Sequence, residues 1–559
     1  SDPRYLKPND HSHRLQNPQD EPWVDIVSRM YPGLYTPKLL AEQKNGDRRP
    51  IFFVEYSHAM GNSNGNLKDF WDVFRSTPRV IGGAIWEFKD QGLYKKDSLG
   101  RTYVAYGGDF GEKYYDNFTI KGLVASDGRP KAAMYECKRV FQGVECELID
   151  RDRALIKVAN RQAVKSLGDY DVDLIVRENG NVVVNRLLPR MNVAAGKDTV
   201  ISISSYLPKF NSGSEYLADI HFLLPDNTAW APKGFEVASN QFALTGLAKP
   251  NGPVKSFPAV KVSQTANGYV AAGKDFEVTI DKKNGALSSY KSKGAEQIFK
   301  PFLPHFKRPL TDNDRRGWKP NKKLQQWYEP GLELVSCELL PTDTTQGERK
   351  IVNTYHLIHD SASVNVIYTI NGNGVIKVNY TLSCKPGLPN IPKVGMQGGI
   401  ERSYENITWY GKGLMENYID RNYGFDAAIY SQDIFQFMEP YAVPQENGNR
   451  TDVRWMFLSD KNNNGLLVIA DSLLSMSAWP YTEENIENAK HTIDLRDAGY
   501  ITLNIDLVQM GVGGNDSWSD VAAPLPKYQI PPGSYRYSFY LIPYKKGKER
   551  ISDFVQKMY

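Results

Sequence analysis

The chain has 559 residues and a net charge of +4 at pH 7, a length that at roughly 150 residues per domain predicts three or four domains. Near charge balance without a basic stripe or acidic tail excludes nucleic acid as an expected partner, and no apolar run approaches the roughly 20 residues that span a bilayer. Cys137, Cys146, Cys337 and Cys384 make neither a disulfide framework nor a C-x-x-C metal motif.

Residues 1–22 are polar and lack an apolar h-region, which predicts no signal peptide in this chain and a start partway through a longer protein. The compartment, cytoplasmic or periplasmic, stays open. Residues 23–27 form a short apolar run ending before Met30-Tyr31-Pro32-Gly33. Thr36-Pro37 then reads as an N-cap and first helical position of a helix reaching toward Gly46. Residues 51–54, Ile-Phe-Phe-Val, form a buried-strand run that delivers Glu55. Leu67, Phe70, Trp71 and Phe74 follow at i, i+3, i+4 and i+7, an amphipathic helix stopped by Pro78. Residues 80–86 are another apolar run, and a last helix fits Pro130 to Gln142. This β-α-β-α-β order predicts a parallel sheet with covering helices. Three strands cannot close a (β/α)₈ barrel, which needs eight.

The pattern changes near residue 144. Alternating runs at 154–159, 170–176, 198–204 and 216–224 are separated by turn signals such as Glu178-Asn179-Gly180-Asn181. Spacing of this kind over about 100 residues predicts a seven-stranded, immunoglobulin-like sandwich. Residues 246–257 have the composition of a linker. The remaining residues are again mostly strands: 276–281, 287–292, 363–370, 374–382, 465–470, 501–507 and 535–544. Their number predicts two large antiparallel sheets packed face to face.

Glu55 directly follows a buried parallel strand, at the edge where α/β folds place catalysis. A structural ion pair or a helix-cap contact would also account for a lone glutamate there. Tyr31 ends the preceding strand, Trp86 the following one, and Tyr56, His58 and Asn62 lie close by. A carboxylate, a phenol, an imidazole and an indole around one opening make a plausible sugar subsite, in which the indole stacks and the others hydrogen-bond. Aromatics make up 12% of the chain; filling sandwich cores explains most of them.

Glu55-Tyr56-Ser57-His58-Ala59-Met60-Gly61-Asn62-Ser63, followed by Trp86-Glu87-Phe88-Lys89-Asp90-Gln91, resembles the large bacterial β-galactosidases of glycoside hydrolase family 2. The resemblance runs on through Tyr106–Gly111, Pro309–Asp314, Gly411–Tyr418, Pro444–Gly448 and Gly511–Trp518, in the family's order. It implies a multidomain α/β plus all-β chain. Residues 1–143 would be the last three strands of a TIM barrel, 144–247 an immunoglobulin-like sandwich, and 255–559 a galactose-mutarotase-like β-supersandwich of the β-galactosidase small-chain type.

The resemblance implies retaining hydrolysis of terminal non-reducing β-D-galactose, with Glu55 as nucleophile and Tyr31 hydrogen-bonded to it. His58, Trp86, Phe118 and Trp518 match sugar-contacting residues, and the backbone carbonyl of Phe118 matches a sodium ligand. Two departures accompany it. Lys121 stands where the family has Asn, and an ammonium cannot ligate a cation, so the sodium site is in doubt and Lys121 is expected to reach the sugar itself. The family's general acid/base lies in an Asn-Glu pair, absent from residues 1–143, together with magnesium ligands. Mg²⁺ and Na⁺ are therefore expected of the full-length parent, their main ligands lying outside this chain.

The expected partner is a β-galactoside, and the parent is expected to be a homo-oligomer. The alternatives are another family 2 enzyme of the β-glucuronidase or β-mannosidase type, or a non-catalytic subunit that binds carbohydrate or assembles with a separate half. Asp312 and Asp314 read either as metal ligands or as turn caps, the commoner use of Asp-x-Asp.

Overall fold

The computed structural model describes residues 22–43, 46–112, 116–248, 257–341 and 347–558. The polar stretch 1–21 and most of the linker-like segment lie outside the described residues. The described residues are mostly strand with few helices, and among them no helix is long and apolar enough to cross a membrane.

The first 150 residues carry the expected β-α-β-α-β order. Strand β1 (Val27–Met30) is followed by α1 (Thr36–Ala41), β2 (Ile51–Tyr56), α2 (Leu67–Ser76) and β3 (Val80–Ile85). The strands pair in parallel, in the order β1-β2-β3. Ile51 and Phe53 on one sheet face pack against Leu40, Leu67, Phe70 and Phe74 of the helices, each contributing roughly 2 kcal/mol by burial. Val54 and Ile81, on the other face, are exposed. The cap of α1 differs from expectation. Tyr35 is the N-cap and Thr36 the first helical residue, and no side chain caps the end. The pattern did not reveal the hairpin β4 (Leu93–Lys96) and β5 (Thr102–Ala105). Helix α3 (Ala132–Phe141) closes this part, as expected.

Seven strands follow: β6 (Val144–Asp150), β7 (Leu155–Asn160), β8 (Asp171–Glu178), β9 (Asn181–Leu188), β10 (Asp198–Ser202), β11 (Tyr216–Leu223) and β12 (Glu236–Ala243). They form a three-stranded sheet, β10-β7-β6, and a four-stranded one, β12-β11-β8-β9. Inward Ile156 and Val158 of the first sheet share one core with Val172, Leu174, Val176, Ile220 and Phe222 of the second. Asn179 and Gly180 both take positive φ, 48° and 82°. That is what a two-residue hairpin turn between β8 and β9 requires.

Among the described residues, the strands of the rest form one hydrogen-bonded network of 17 antiparallel strands, a correction to the two separate sheets expected from pattern. Strand Asn464–Trp479 makes the join. Its first half pairs with Ser534–Lys545, and its last five residues pair with Ile501–Gln509. Asp471 and Ser472, exposed between two buried halves, mark where it passes from one pairing partner to the other. The sheet curls around a core that includes Val364, Val378, Val468 and Ile505.

The C-terminal helix Ile551–Met558 ties the parts together. Its Ile551 and Val555 share a core with Leu217 of β11 and with Tyr410, Trp455 and Ile469 of the large sheet. Beside that core Arg454 meets Glu215 at 2.5 Å, and the Tyr410 hydroxyl donates to the same carboxylate.

Candidate functional site

The C-terminal ends of β1, β2 and β3 lie side by side and deliver the site. Tyr31 N–H donates to the Glu55 carbonyl at 2.7 Å, and Ala59 N–H donates to the Trp86 carbonyl at 2.8 Å. Tyr31 and Ser57, just past β1 and β2, take positive φ of 45° and 50°. Such backbone is costly for a side chain larger than glycine and clusters at functional sites.

The Tyr31 phenol hydrogen-bonds the Glu55 side chain. Burial first, then that bond and the Glu55 charge, hold the phenol pKa well above its usual value. It is therefore a permanent proton donor to the carboxylate.

Four of the sequence-predicted residues share one aromatic cluster. The Tyr31 ring stands edge-on to Trp518 with centroids 4.7 Å apart and to His58 at 5.9 Å. His58 lies 5.2 Å from Trp518 and 5.5 Å from Phe118. The Arg316 guanidinium covers Phe118, its carbon 5.6 Å from the ring centre. Trp518 comes from a segment more than 450 residues further along the chain than Tyr31, so the remote sheet completes this opening. Trp86 joins it through its backbone, while its indole is 38% exposed and free to face a ligand. The Trp86–Glu87 peptide is cis.

Lys121 sits where its ammonium meets Glu87 at 2.8 Å. Sequence reasoning did not foresee this ion pair. His58 is wholly buried, and burial, helped by the Lys121 charge, lowers its pKa to about 3. The imidazole is neutral at physiological pH.

The motifs scattered along the sequence converge behind this opening. Asn62 N–H and Asp312 N–H both donate to Gln445 Oε1 at 3.0 Å. Gln445 Nε2 donates to Asp312 Oδ2 at 2.9 Å, and Asn117 Nδ2 to Asp312 Oδ1 at 2.7 Å. Asp420 accepts from the backbone N–H groups of Val512 and Gly513. Asp314 is buried against Arg308 and accepts from Thr311 N–H and Trp318 Nε1. Asp312 and Asp314, the pair read from sequence as metal ligands or turn caps, are thus engaged in structural hydrogen bonds.

A Cβ on Gly61, at φ 58°, would stand 2.3 Å from Asp312 Oδ2, and one on Gly65 would stand 2.0 Å from Asp420 Oδ2. Glycine is required there because another chain segment passes too closely for a side chain. Sequence reasoning also missed Asn313 and Ser517. Both lie inside motifs it singled out, and the buried contacts of Ser517 with His58 and of Asn313 with Ser517 were the signal that pattern could not carry.

Three family models match the chain in order: "Glycosyl hydrolases family 2, TIM barrel domain" over residues 11–146, "Beta-galactosidase, domain 4" over 156–245, and "Beta galactosidase small chain" over 272–541. A protein named beta-galactosidase from Priestia megaterium is 33% identical over 500 residues, covering 89% of this chain and 48% of that protein. Another of that name from Psychromonas ingrahamii is 32% identical over 489 residues, covering 85% and 46%. The chain spans about half the length of the curated relatives it matches. A GalM/aldose epimerase homologue from C. elegans aligns at 8% identity and a TM-score of 0.30, over 52% of this chain and all of that one; a likeness that slight bears no weight. The ordered models and the relatives together establish that the chain resembles the C-terminal part of the glycoside hydrolase family 2 β-galactosidases.

Proposed function

We propose that this chain carries the nucleophile and much of the sugar-binding wall of a retaining β-galactosidase. The observation that carries the reading is the Glu55–Tyr31 pair set beside the ring cluster of Tyr31, His58, Phe118 and Trp518. In the proposed reaction a Glu55 oxygen attacks the anomeric carbon of a terminal β-D-galactosyl unit. The bond from that carbon to the leaving oxygen breaks, and the leaving oxygen takes a proton from a second carboxyl group. Water then hydrolyses the galactosyl-enzyme with net retention. Tyr31 steadies the Glu55 carboxylate before attack. Trp86 and Trp518 offer apolar surface to the sugar and its aglycone, and His58, Phe118 and Lys121 line the hydroxyl side.

Retention needs a second carboxyl about 5–5.5 Å from the nucleophile. Glu87 is committed to Lys121, so the second carboxyl is assigned to residues outside this chain. The relatives' double length and the exposed faces of Val54 and Ile81 support that assignment. On this reading β1–β3 are the last strands of a (β/α)₈ barrel, residues 144–247 an immunoglobulin-like sandwich, and 255–559 a galactose-mutarotase-like supersandwich.

Mg²⁺ and Na⁺ belong to the proposal only through ligands elsewhere. Among the described residues no group of three His, Cys, Asp or Glu is arranged to hold a metal. Lys121 stands at the sequence position where an oxygen ligand is needed, and its ammonium, held by Glu87, cannot ligate a cation, so the residues present do not fit a sodium site.

The test is covalent labelling of the full-length parent with a 2-deoxy-2-fluoro-galactosyl inactivator, followed by peptide mass spectrometry. The label is expected on Glu55 and is lost in Glu55→Gln; a label on any other residue removes Glu55 from the role. The chain by itself is expected to turn over an aryl β-galactoside slowly or not at all.

A further inference from the structure

A short hydrogen-bonded line ties His58 to the large sheet. His58 Nδ1 lies 2.7 Å from Ser517 Oγ. Ser517 Oγ lies 2.7 Å from Asn313 Oδ1, and Asn313 Nδ2 lies 3.0 Å from the Val512 carbonyl. All three side chains are buried, so no bulk water relieves a mismatch.

The direction of every hydrogen in this line follows from its far end. A backbone carbonyl only accepts, so Asn313 must turn its NH₂ toward Val512 and its oxygen toward Ser517. That oxygen only accepts, so the single Ser517 hydroxyl hydrogen goes to it. Ser517 is left with lone pairs for His58, and Nδ1 must carry the imidazole hydrogen. The other tautomer would set two lone pairs against each other at 2.7 Å, or leave the buried Asn313 oxygen without a donor, a loss of about 1–3 kcal/mol. Nε2 is buried with no hydrogen-bond partner.

We propose that Ser517 and Asn313 are positioning residues that hold His58 in the Nδ1–H tautomer, so that Nε2 is a bare acceptor that recognises a ligand hydroxyl. The imidazole stays uncharged because burial and the neighbouring Lys121 ammonium oppose protonation. A protonated ring would present a hydrogen at Nε2 and reverse the preference. The ligand is a neutral polyol that donates at this position. Its being a galactoside rests on the function proposed above; the tautomer does not. The large sheet thereby sets the hydrogen-bonding polarity of a residue held at the end of β2.

The chain labelled with ¹⁵N-histidine decides this by long-range ¹H–¹⁵N correlation spectroscopy at neutral pH, the His58 signals being assigned by their loss in His58→Gln. The expected spectrum shows a protonated-type Nδ1 and an unprotonated-type Nε2. Ser517→Ala is expected to draw the two shifts together or exchange them, and Ser517→Thr, which keeps the hydroxyl, to restore them. Unchanged signals from the remaining histidines control for folding, and Asn313→Ala, which frees the Ser517 hydrogen to point at Nδ1, serves as a second perturbation. A wild-type Nε2–H tautomer, or a tautomer indifferent to both substitutions, overturns the relay. Titration with methyl β-D-galactopyranoside is expected to move Nε2 and leave Nδ1 in place. Movement of Nδ1 alone overturns hydroxyl recognition by Nε2. No movement of either, with the tautomer as stated, overturns the galactoside reading while the relay stands.

Discussion

Replacing Glu446 by glutamine removes a buried acid whose cost grows with pH. The side chain is fully buried. Its Oε1 accepts from the Tyr418 hydroxyl at 3.2 Å and from Gln509 Nε2 at 3.3 Å, and Oε2 has no partner. Burial outweighs the attraction of Arg308 and Lys393, and the pKa rises from 4.5 to about 8. Below pH 4.5 the group is protonated in both the folded and the unfolded chain. Above it the unfolded chain ionises while the folded chain keeps its proton up to about pH 8. The folded state then binds more protons, so stability falls with rising pH, by about 1.4 kcal/mol per unit and about 5 kcal/mol over the whole window.

Glu446→Gln is shaped like the protonated acid and does not titrate. Urea titrations of both proteins between about pH 5 and pH 8 are expected to show a stability difference that widens in the variant's favour by about 4 kcal/mol. Other titrating groups cancel in the comparison. A difference that stays constant across the range, or that shrinks as pH rises, would refute the burial argument.

Arg454→Ala leaves the Glu215 carboxylate buried without its cation at the junction of the sandwich and the large sheet. About 3 kcal/mol of stability is expected to go, read as a lower urea midpoint and faster proteolysis. Gly61→Ala forces a Cβ against the Asp312 carboxylate and into positive φ; a loss of about 2 kcal/mol or more is expected, and an unchanged melting curve would contradict the close approach. Tyr31→Phe removes the phenol donor from Glu55. In the full-length parent, loss of one such charge-assisted bond is expected to slow formation of the covalent intermediate roughly ten- to a hundredfold, measured with the fluoro-sugar inactivator.

Local pattern was enough for many of the elements, though not for the β4–β5 hairpin. The 3.6-residue spacing of Leu67, Phe70 and Phe74 marks α2, and the strands Phe276–Asp281 and Leu287–Ser292 fall where alternation put them. Asn179-Gly180 announced its hairpin because few other residue pairs tolerate two positive φ values. Each of these rests on neighbours within one turn or one strand, which is the range over which sequence acts directly. Glu55, Tyr31, His58 and Trp86 were legible as candidates from their places at or just past strand ends, and Phe118, Lys121 and Trp518 only through the family resemblance.

What they do to one another was not legible, because it depends on contacts between segments hundreds of residues apart. The change of pairing partner around Asp471 joins the two expected sheets into one. Glu87 captures Lys121, and the segment ending in Trp518 closes over Tyr31 and His58. The hydrogen on His58 is decided by an asparagine 255 positions along the chain, by way of Ser517. Sequence determines which groups this protein has for its chemistry. Burial, which makes each hydrogen bond obligatory and each charge dependent on its neighbours, decides which of them are donors, acceptors or spent in pairs.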